Sequence, residues 1–151
     1  MNDQKEVIST INSVIETLKD GQEGFKQAAE GVKDPQLKSL FNDYSQQRTQ
    51  FARQLQSHIQ SMGEPEPETS SSAAGALHRA WINLKSAVTR GDDHAILAEC
   101  ERGEDSAVEE YKKGLDANLP EPVRDIIARQ YSEIKNAHDR IKNLRDTAKT
   151  S

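Results

Sequence analysis

The sequence has little cysteine, few aromatic residues and no long apolar run, and each absence excludes a class of protein. A single cysteine rules out an intrachain disulfide and is typical of a reducing compartment. Aromatic residues make up only 5% of the chain, and runs of β-branched residues are rare, which argues against a β-sheet protein. No apolar stretch is long enough to span a membrane, and residues 1–14 lack the apolar core of a signal peptide. We therefore expect a soluble protein of the cytoplasm.

Positive charge is also in short supply. Twenty Lys and Arg residues against 25 Asp and Glu residues give a formal net charge of -5. Binding to nucleic-acid phosphates needs a basic patch, so a nucleic-acid partner is not expected. The chain also lacks a strongly basic apolar helix of the kind that lies on a membrane surface, so no membrane partner is expected.

The residues that are abundant predict long amphipathic helices. Hydrophobic residues account for 34% of the chain and charged residues for 30%, a balance typical of helices that each bury one stripe. Apolar residues recur at three- and four-residue spacing over four segments, at about 2–32, 35–62, 93–116 and 121–147. Asp34-Pro35 and the NLPEP sequence at 118–122 mark short turns. The first two segments and the last two therefore form antiparallel hairpins, at 2–62 and 93–147.

The connection between the two hairpins decides the predicted topology of this single domain, 1–151. It contains a linker at 63–72, rich in Pro, Gly, Ser and acidic residues, and a shorter helix at 73–89. A connection of about 30 residues is long enough to run the height of the bundle. Two hairpins joined by such a crossover make an all-α, ferritin-like four-helix bundle with an extra short helix in the crossover. The alternative is an up-down bundle with an excursion.

Five polar residues interrupt the apolar stripes of these helices. If the crossover topology holds, most of them lie at one level of the bundle, together with Glu101 at the margin of its stripe. A buried carboxylate costs free energy unless it is paired. Glu104 therefore forms a bidentate ion pair with Arg48, or binds a metal ion, or lies partly exposed. The predicted buried polar cluster consists of Gln22, Arg48, Glu104, Gln130 and His138.

Five short motifs occur in order along nearly the whole chain: KDGQEGF (19–25), YSQQRTQF (44–51), ALHRAW (76–81), ECERGED (99–105) and AHDRIKNLR (137–145). Together they resemble a bacterial family of small ferritin-like four-helix bundles that is catalogued as a domain of unknown function. The wider ferritin-like group implies a di-iron site, built from a Glu on each of two helices and a Glu-x-x-His pair on each of the other two. None of the four histidines here has Glu three residues before it, and the first-helix position that would supply a carboxylate is Gln22. The resemblance therefore implies the fold without a complete di-iron centre.

Two functional hypotheses follow. The first is a non-catalytic, degenerate ferritin-like bundle that needs no cofactor and acts through its surfaces or through stress-related association, with a homo-oligomer such as a dimer as the expected assembly. The second is a ferritin-like protein that binds iron or manganese and has oxidase or iron-handling activity. Its reduced metal site would use Glu101, Glu104 and His138, with Glu23 as an alternative ligand from the first helix. The metal content of the purified protein distinguishes the two hypotheses.

Overall fold

The computed structural model describes residues 4–63 and 81–149, and these two ranges form α-helices joined by turns, without a β-strand. The four long helices begin and end within a few residues of the predicted segments. None of the helices in the described ranges is long and apolar enough to cross a membrane. The helices are α1 (Gln4–Gly31), α2 (Pro35–Ser61), α3 (Leu84–Arg90), α4 (Asp93–Asp116) and α5 (Glu121–Lys149).

Side-chain caps fix where two of the helices begin. Asp34 directly precedes Pro35, the first residue of α2. Its carboxylate accepts a hydrogen bond of 2.8 Å from the backbone N–H of Gln36. Asp92 caps α4 in the same way, accepting a 3.0 Å bond from the N–H of His94. Gly91 is the C-cap that follows helix α3. Its backbone is left-handed, with φ of 65°, which glycine adopts without strain.

Contacts between helix ends establish the path of the chain. Gln4 Nε2 donates a 2.9 Å bond to the carbonyl of Met62, so α2 ends beside the start of α1. The Asp93 carboxylate accepts bonds from the backbone N–H groups of Lys33 (2.8 Å) and Asp34 (3.1 Å), so α4 begins at the opposite end of the bundle. Met62 and Asp93 therefore lie at opposite ends of the bundle, and α2 and α4 are parallel. This up-down-down-up order confirms the predicted ferritin-like topology.

Most of the predicted linker and crossover helix lies outside the described residues, since these exclude residues 64–80. The part of the crossover that is described begins at Trp81. The α-helix in it begins at Leu84, after a turn at residues 82–83, and ends at Arg90. Helix α3 packs along α1, where Val88 lies against Gly31. The two facing surfaces are close enough that a Cβ atom on Gly31 would lie 2.7 Å from Val88 Cγ1.

Trp81 attaches the crossover to the bundle by lying over two glycines. A Cβ atom added to Gly24 of α1 would be 2.6 Å from Trp81 Cδ2, and one added to Gly103 of α4 would be 2.7 Å from the same atom. The indole also meets the ring of Phe25 edge-on, with 5.3 Å between ring centroids. The indole fits between the two helices because these glycines have no Cβ atom. A larger residue at either position would overlap with the ring.

The apolar core is divided into two clusters, one towards each end of the bundle. Between them, α2 contributes Arg48 and α4 contributes Glu104, both fully buried. The first cluster lies towards the start of α1 and includes Ile11, Leu18, Leu55, Tyr111, Ile127 and Ile134. The second cluster lies towards the start of α4 and includes Phe25, Phe41, Leu84, Ile96, Cys100 and Ile141.

Candidate functional site

The layer between the two core clusters is a bidentate ion pair. Arg48 Nη1 lies 2.5 Å from Glu104 Oε1, and Arg48 Nη2 lies 2.8 Å from Glu104 Oε2. The side chains are 1% and 0% exposed, so water does not screen their interaction. Because each residue replaces an apolar side chain on the stripe of its helix, the two charges meet across the centre of the bundle. The planar guanidinium matches the carboxylate in this geometry.

A glycine and two aromatic rings surround the guanidinium of Arg48. Gly21 of α1 lies beside it, where a Cβ atom would be in ordinary contact, at 3.5 Å from Arg48 Nη1. The Cζ atom lies 5.1 Å from the ring centroid of Phe25 and 5.9 Å from that of Tyr44, within the range of cation–π attraction. Its remaining Nε–H donates to Gln47 Oε1 at 3.1 Å. Every side of the buried cation therefore has a favourable neighbour.

The electrostatics of the centre favour the charged form of Arg48 and the neutral forms of Cys100 and Tyr111. Burial opposes the charged form of Arg48, but the charge of Glu104 and its hydrogen bonds outweigh this and raise the pKa of the guanidinium. Burial raises the pKa of the Cys100 thiol, and the charge of Glu104 adds to the effect. Burial likewise raises the pKa of Tyr111. A protonated thiol is a poor nucleophile, so the centre offers no activated group for covalent chemistry.

Gln130 belongs to a separate buried group in the first core cluster. Its Oε1 accepts a 2.6 Å bond from the Tyr111 hydroxyl, and its Nε2 donates to Gln54 Oε1 at 2.9 Å and to the Phe51 carbonyl at 3.2 Å. Gln130 is eight residues before His138 on α5, or about 12 Å along the helix axis. The two residues therefore cannot share one level, although both interrupt the polar–apolar pattern of α5.

His138 lies at the α4–α5 edge of the bundle, in a cluster of charged groups. Donor atoms of Glu101, Asp105 and His138 all lie within 4.8 Å of one another. His138 Nε2 is 2.6 Å from Asp105 Oδ1, and Nδ1 is 3.0 Å from Asp139 Oδ1. Arg145 Nη1 lies 3.0 Å from Glu101 Oε1. Among residues 4–63 and 81–149, this is the group of three His, Cys, Asp or Glu side chains whose donor atoms lie close enough to hold a metal ion.

The charge of His138 follows from its neighbours. Partial burial opposes the imidazolium, but the hydrogen bonds to Asp139 and Asp105 outweigh it and raise the pKa of His138 above its usual value of 6.5. The hydrogen bond from His138 lowers the pKa of Asp139 below its usual 3.8. Since both ring nitrogens face carboxylates, the arrangement suits an imidazolium that donates two hydrogen bonds. Metal binding here would require a deprotonated ring nitrogen and displacement of Arg145.

The two remaining predicted residues form hydrogen bonds with residues outside these groups. Gln22 is half-buried, and its backbone carbonyl accepts a 2.8 Å bond from Ser45 Oγ. Glu23 is exposed and accepts a 3.2 Å bond from Gln27 Nε2 on the same helix. The residues of the predicted polar cluster therefore lie in separate groups: the central ion pair, the Tyr111–Gln130 group and the edge cluster.

Asp105, rather than Glu104, accompanies Glu101 and His138 in the edge cluster. Glu104 points inward to Arg48, whereas Asp105 is exposed and is one residue further round the helix. Sequence reasoning missed Asp105 because it does not lie on the apolar stripe. Its position four residues after Glu101, on the same side of α4, is the signal that identifies the pair.

A di-iron centre does not fit the residues at the middle of the bundle. Both carboxylate oxygens of Glu104 are bonded to Arg48, and the guanidinium repels a divalent cation from the space beside it. Glu23, the alternative ligand considered on α1, is exposed. Among the described residues, the three donors close enough to hold a metal ion are Glu101, Asp105 and His138, at the α4–α5 edge. This group contains one histidine, whereas the ferritin-type centre needs two Glu-x-x-His pairs.

A groove opens on the side of the bundle formed by α2 and α5. These helices contact each other less than the other three neighbouring pairs of long helices do. The groove has a volume of about 700 Å³. Half-buried Phe51 and Ile126 supply its apolar surface, and Gln130 is its buried residue. Exposed polar residues form the rest of the lining: Gln54, Ser57, Arg129, Ser132 and Glu133.

The up-down-down-up bundle with a long crossover defines a ferritin-like helical protein. The sequence model of the family described as "Domain of unknown function (DUF2383)" matches residues 6–117, more than half of the chain, and the chain therefore belongs to this family. A mutant of Dps1 from Mycobacterium smegmatis is similar in structure, with a TM-score of 0.79 and 16% sequence identity, over 96% of this chain and 99% of that chain. At this identity the likeness establishes the fold alone. The comparison with curated proteins finds no match.

Proposed function

We propose that this chain is a non-catalytic ferritin-like bundle that acts by associating with other copies of itself. Its centre holds a structural ion pair in place of a metal site. The observation that carries the proposal is the bidentate contact between Arg48 and Glu104, at 1% and 0% exposure. A carboxylate with both oxygens engaged by a guanidinium is not available to a divalent cation, and the positive charge repels one.

The surroundings of the pair support a structural role. The neighbouring thiol of Cys100 and the hydroxyl of Tyr111 are held in their neutral forms by burial, so neither supplies a nucleophile or a base. The large groove lies on the outer side, between α2 and α5, and not at the ion pair. The groove surface that a partner can reach is therefore separate from the buried charges.

Metal analysis tests the absence of a central metal site. The protein is purified without chelator, incubated anaerobically with ferrous iron or Mn²⁺, desalted and analysed by mass spectrometry for bound metal. The Arg48→Met/Glu104→Leu double variant removes the central pair while keeping apolar volume. We expect wild type and double variant to bind equally little metal. Stoichiometric metal in wild type that is lost in the double variant would overturn the proposal.

Metal binding at the α4–α5 edge is the second candidate function, with iron or manganese as the ion. It is favoured by the three donor atoms of Glu101, Asp105 and His138 within 4.8 Å, a mixture of carboxylate and imidazole that suits these metals. The Asp139 carboxylate beside Nδ1 would orient the imidazole. The same metal assay includes His138→Ala. Metal lost in this variant, but retained in the central double variant, would establish the edge site instead.

A further inference from the structure

The α2 wall of the groove carries no negative charge. From residue 46 to residue 61, α2 contains six Gln and no Asp or Glu, in a chain of which 30% is charged. Gln54 and Ser57 are the exposed residues of this helix that line the groove. Uncharged polar groups cost less to remove from water than charged groups, and the centres of protein interfaces are depleted of charge. This wall therefore has the composition of a surface that can be covered.

The α5 rim carries two opposite charges, Arg129 and Glu133, that have no ionic partner within residues 4–63 and 81–149. Both side chains are exposed, and Arg129 Nε reaches only the Asp125 carbonyl, at 3.4 Å. An Arg that precedes a Glu by four residues is in the less favourable order for pairing along one helix. The two charges are about 6 Å apart along the helix axis.

We propose that the groove between α2 and α5 is the interface with a second copy of this chain, in a two-fold dimer. A two-fold axis at right angles to α5, at the level of Tyr131, brings Arg129 of one copy opposite the partner subunit's Glu133, and the reciprocal pair forms by symmetry. The two grooves then face each other, with Phe51 and Ile126 between the charged rims. This inference rests on the proposed function, because it names the surface through which the copies associate.

Charge reversal with reciprocal rescue tests the interface. Arg129→Glu places like charges opposite each other twice in the dimer, and so does Glu133→Arg. We expect each single variant to raise the dimer Kd at least about tenfold. The double variant Arg129→Glu/Glu133→Arg restores both pairs with reversed polarity and is expected to dimerise like wild type. An equimolar mixture of the two single variants is expected to form a heterodimer. Sedimentation velocity over a concentration series measures each Kd.

A matched control reverses a charge elsewhere. Arg102 on α4 is 60% exposed and lines no part of the groove, so Arg102→Glu is expected to leave the Kd unchanged. Far-UV circular dichroism establishes that each variant is folded. A wild-type dimer that is weakened by neither single variant would overturn this interface while leaving self-association in place. A wild type that is monomeric at all concentrations would overturn both this inference and the association part of the proposed function.

Discussion

Replacing Gly103 by alanine should destabilise the protein, although alanine is the better helix former. The added Cβ would lie 2.7 Å from Trp81 Cδ2, closer than side-chain atoms approach one another, and a rigid indole cannot adapt by rotating a flexible end. Overpacking of this kind costs about 1–3 kcal/mol. The gain in helix propensity offsets about 1 kcal/mol of that cost. We therefore expect a net loss of up to about 2 kcal/mol, or a melting temperature lower by up to about 8 °C.

Gly114→Ala is the matched control, since it is the same substitution in the same helix. There the new Cβ would lie 3.6 Å from Val14 and 3.8 Å from Ile127, which is ordinary contact, so up to about 1 kcal/mol of stabilisation is expected. Urea denaturation followed by circular dichroism measures both variants. Trp81 is the single tryptophan, and its emission should shift to longer wavelength in Gly103→Ala alone. Equal stability of the two variants, with unchanged Trp81 emission, would refute the close contact between the indole and Gly103.

Three further predictions concern the polar groups. Glu104→Leu leaves Arg48 buried without a counter-charge and should cost about 3–5 kcal/mol, whereas adding Arg48→Met should recover most of that loss. Tyr111→Phe leaves Gln130 Oε1 without its donor and should cost about 1–3 kcal/mol. Because the folded pKa of His138 is raised, its contribution is fully present below pH 6.5 and is lost as the pH rises through the folded pKa. The stability difference between wild type and His138→Gln should therefore shrink as the pH rises above 6.5.

Urea denaturation measures each of these changes, and each has an outcome that contradicts it. A double variant as unstable as Glu104→Leu would mean that the loss does not come from an unpaired Arg48. A neutral Tyr111→Phe change would mean that water or a rearranged amide satisfies Gln130. A difference between wild type and His138→Gln that grows with pH would mean that the histidine is held neutral in the folded protein.

The sequence was sufficient for the fold because the signals were long and redundant. Each long helix carries six or more turns of one apolar period, and Asp34-Pro35 and Asp92 mark two of the starts with their own capping chemistry. The crossover topology followed from length alone. The turn before Leu84 had no such signal, because the residues around it continue a helical pattern. Its position depends on the packing of Trp81, which is a tertiary contact.

The candidate site was only partly accessible to sequence reasoning. A stripe position identifies a residue that points inward. This was enough to make an ion pair with Arg48 one of three interpretations of Glu104. It does not fix the level of a residue: Gln130 and His138 interrupt the same helix but are about 12 Å apart along its axis. It also cannot find partners outside the stripe, such as Asp105, or the slot that Gly103 forms for a distant indole.

The position of the ion pair has a consequence for the alignment of the two hairpins. Within each hairpin a short turn fixes how far one helix extends beside the other, but the long crossover sets no such limit between hairpins. Arg48 and Glu104 lie on different hairpins, and a slip of one helical turn, about 5.4 Å, would move each charge into apolar surroundings. Asp93, bonded to the turn after α1, adds a second fixed point at the end of the bundle. The buried pair thus favours a single alignment of the two hairpins along the bundle axis.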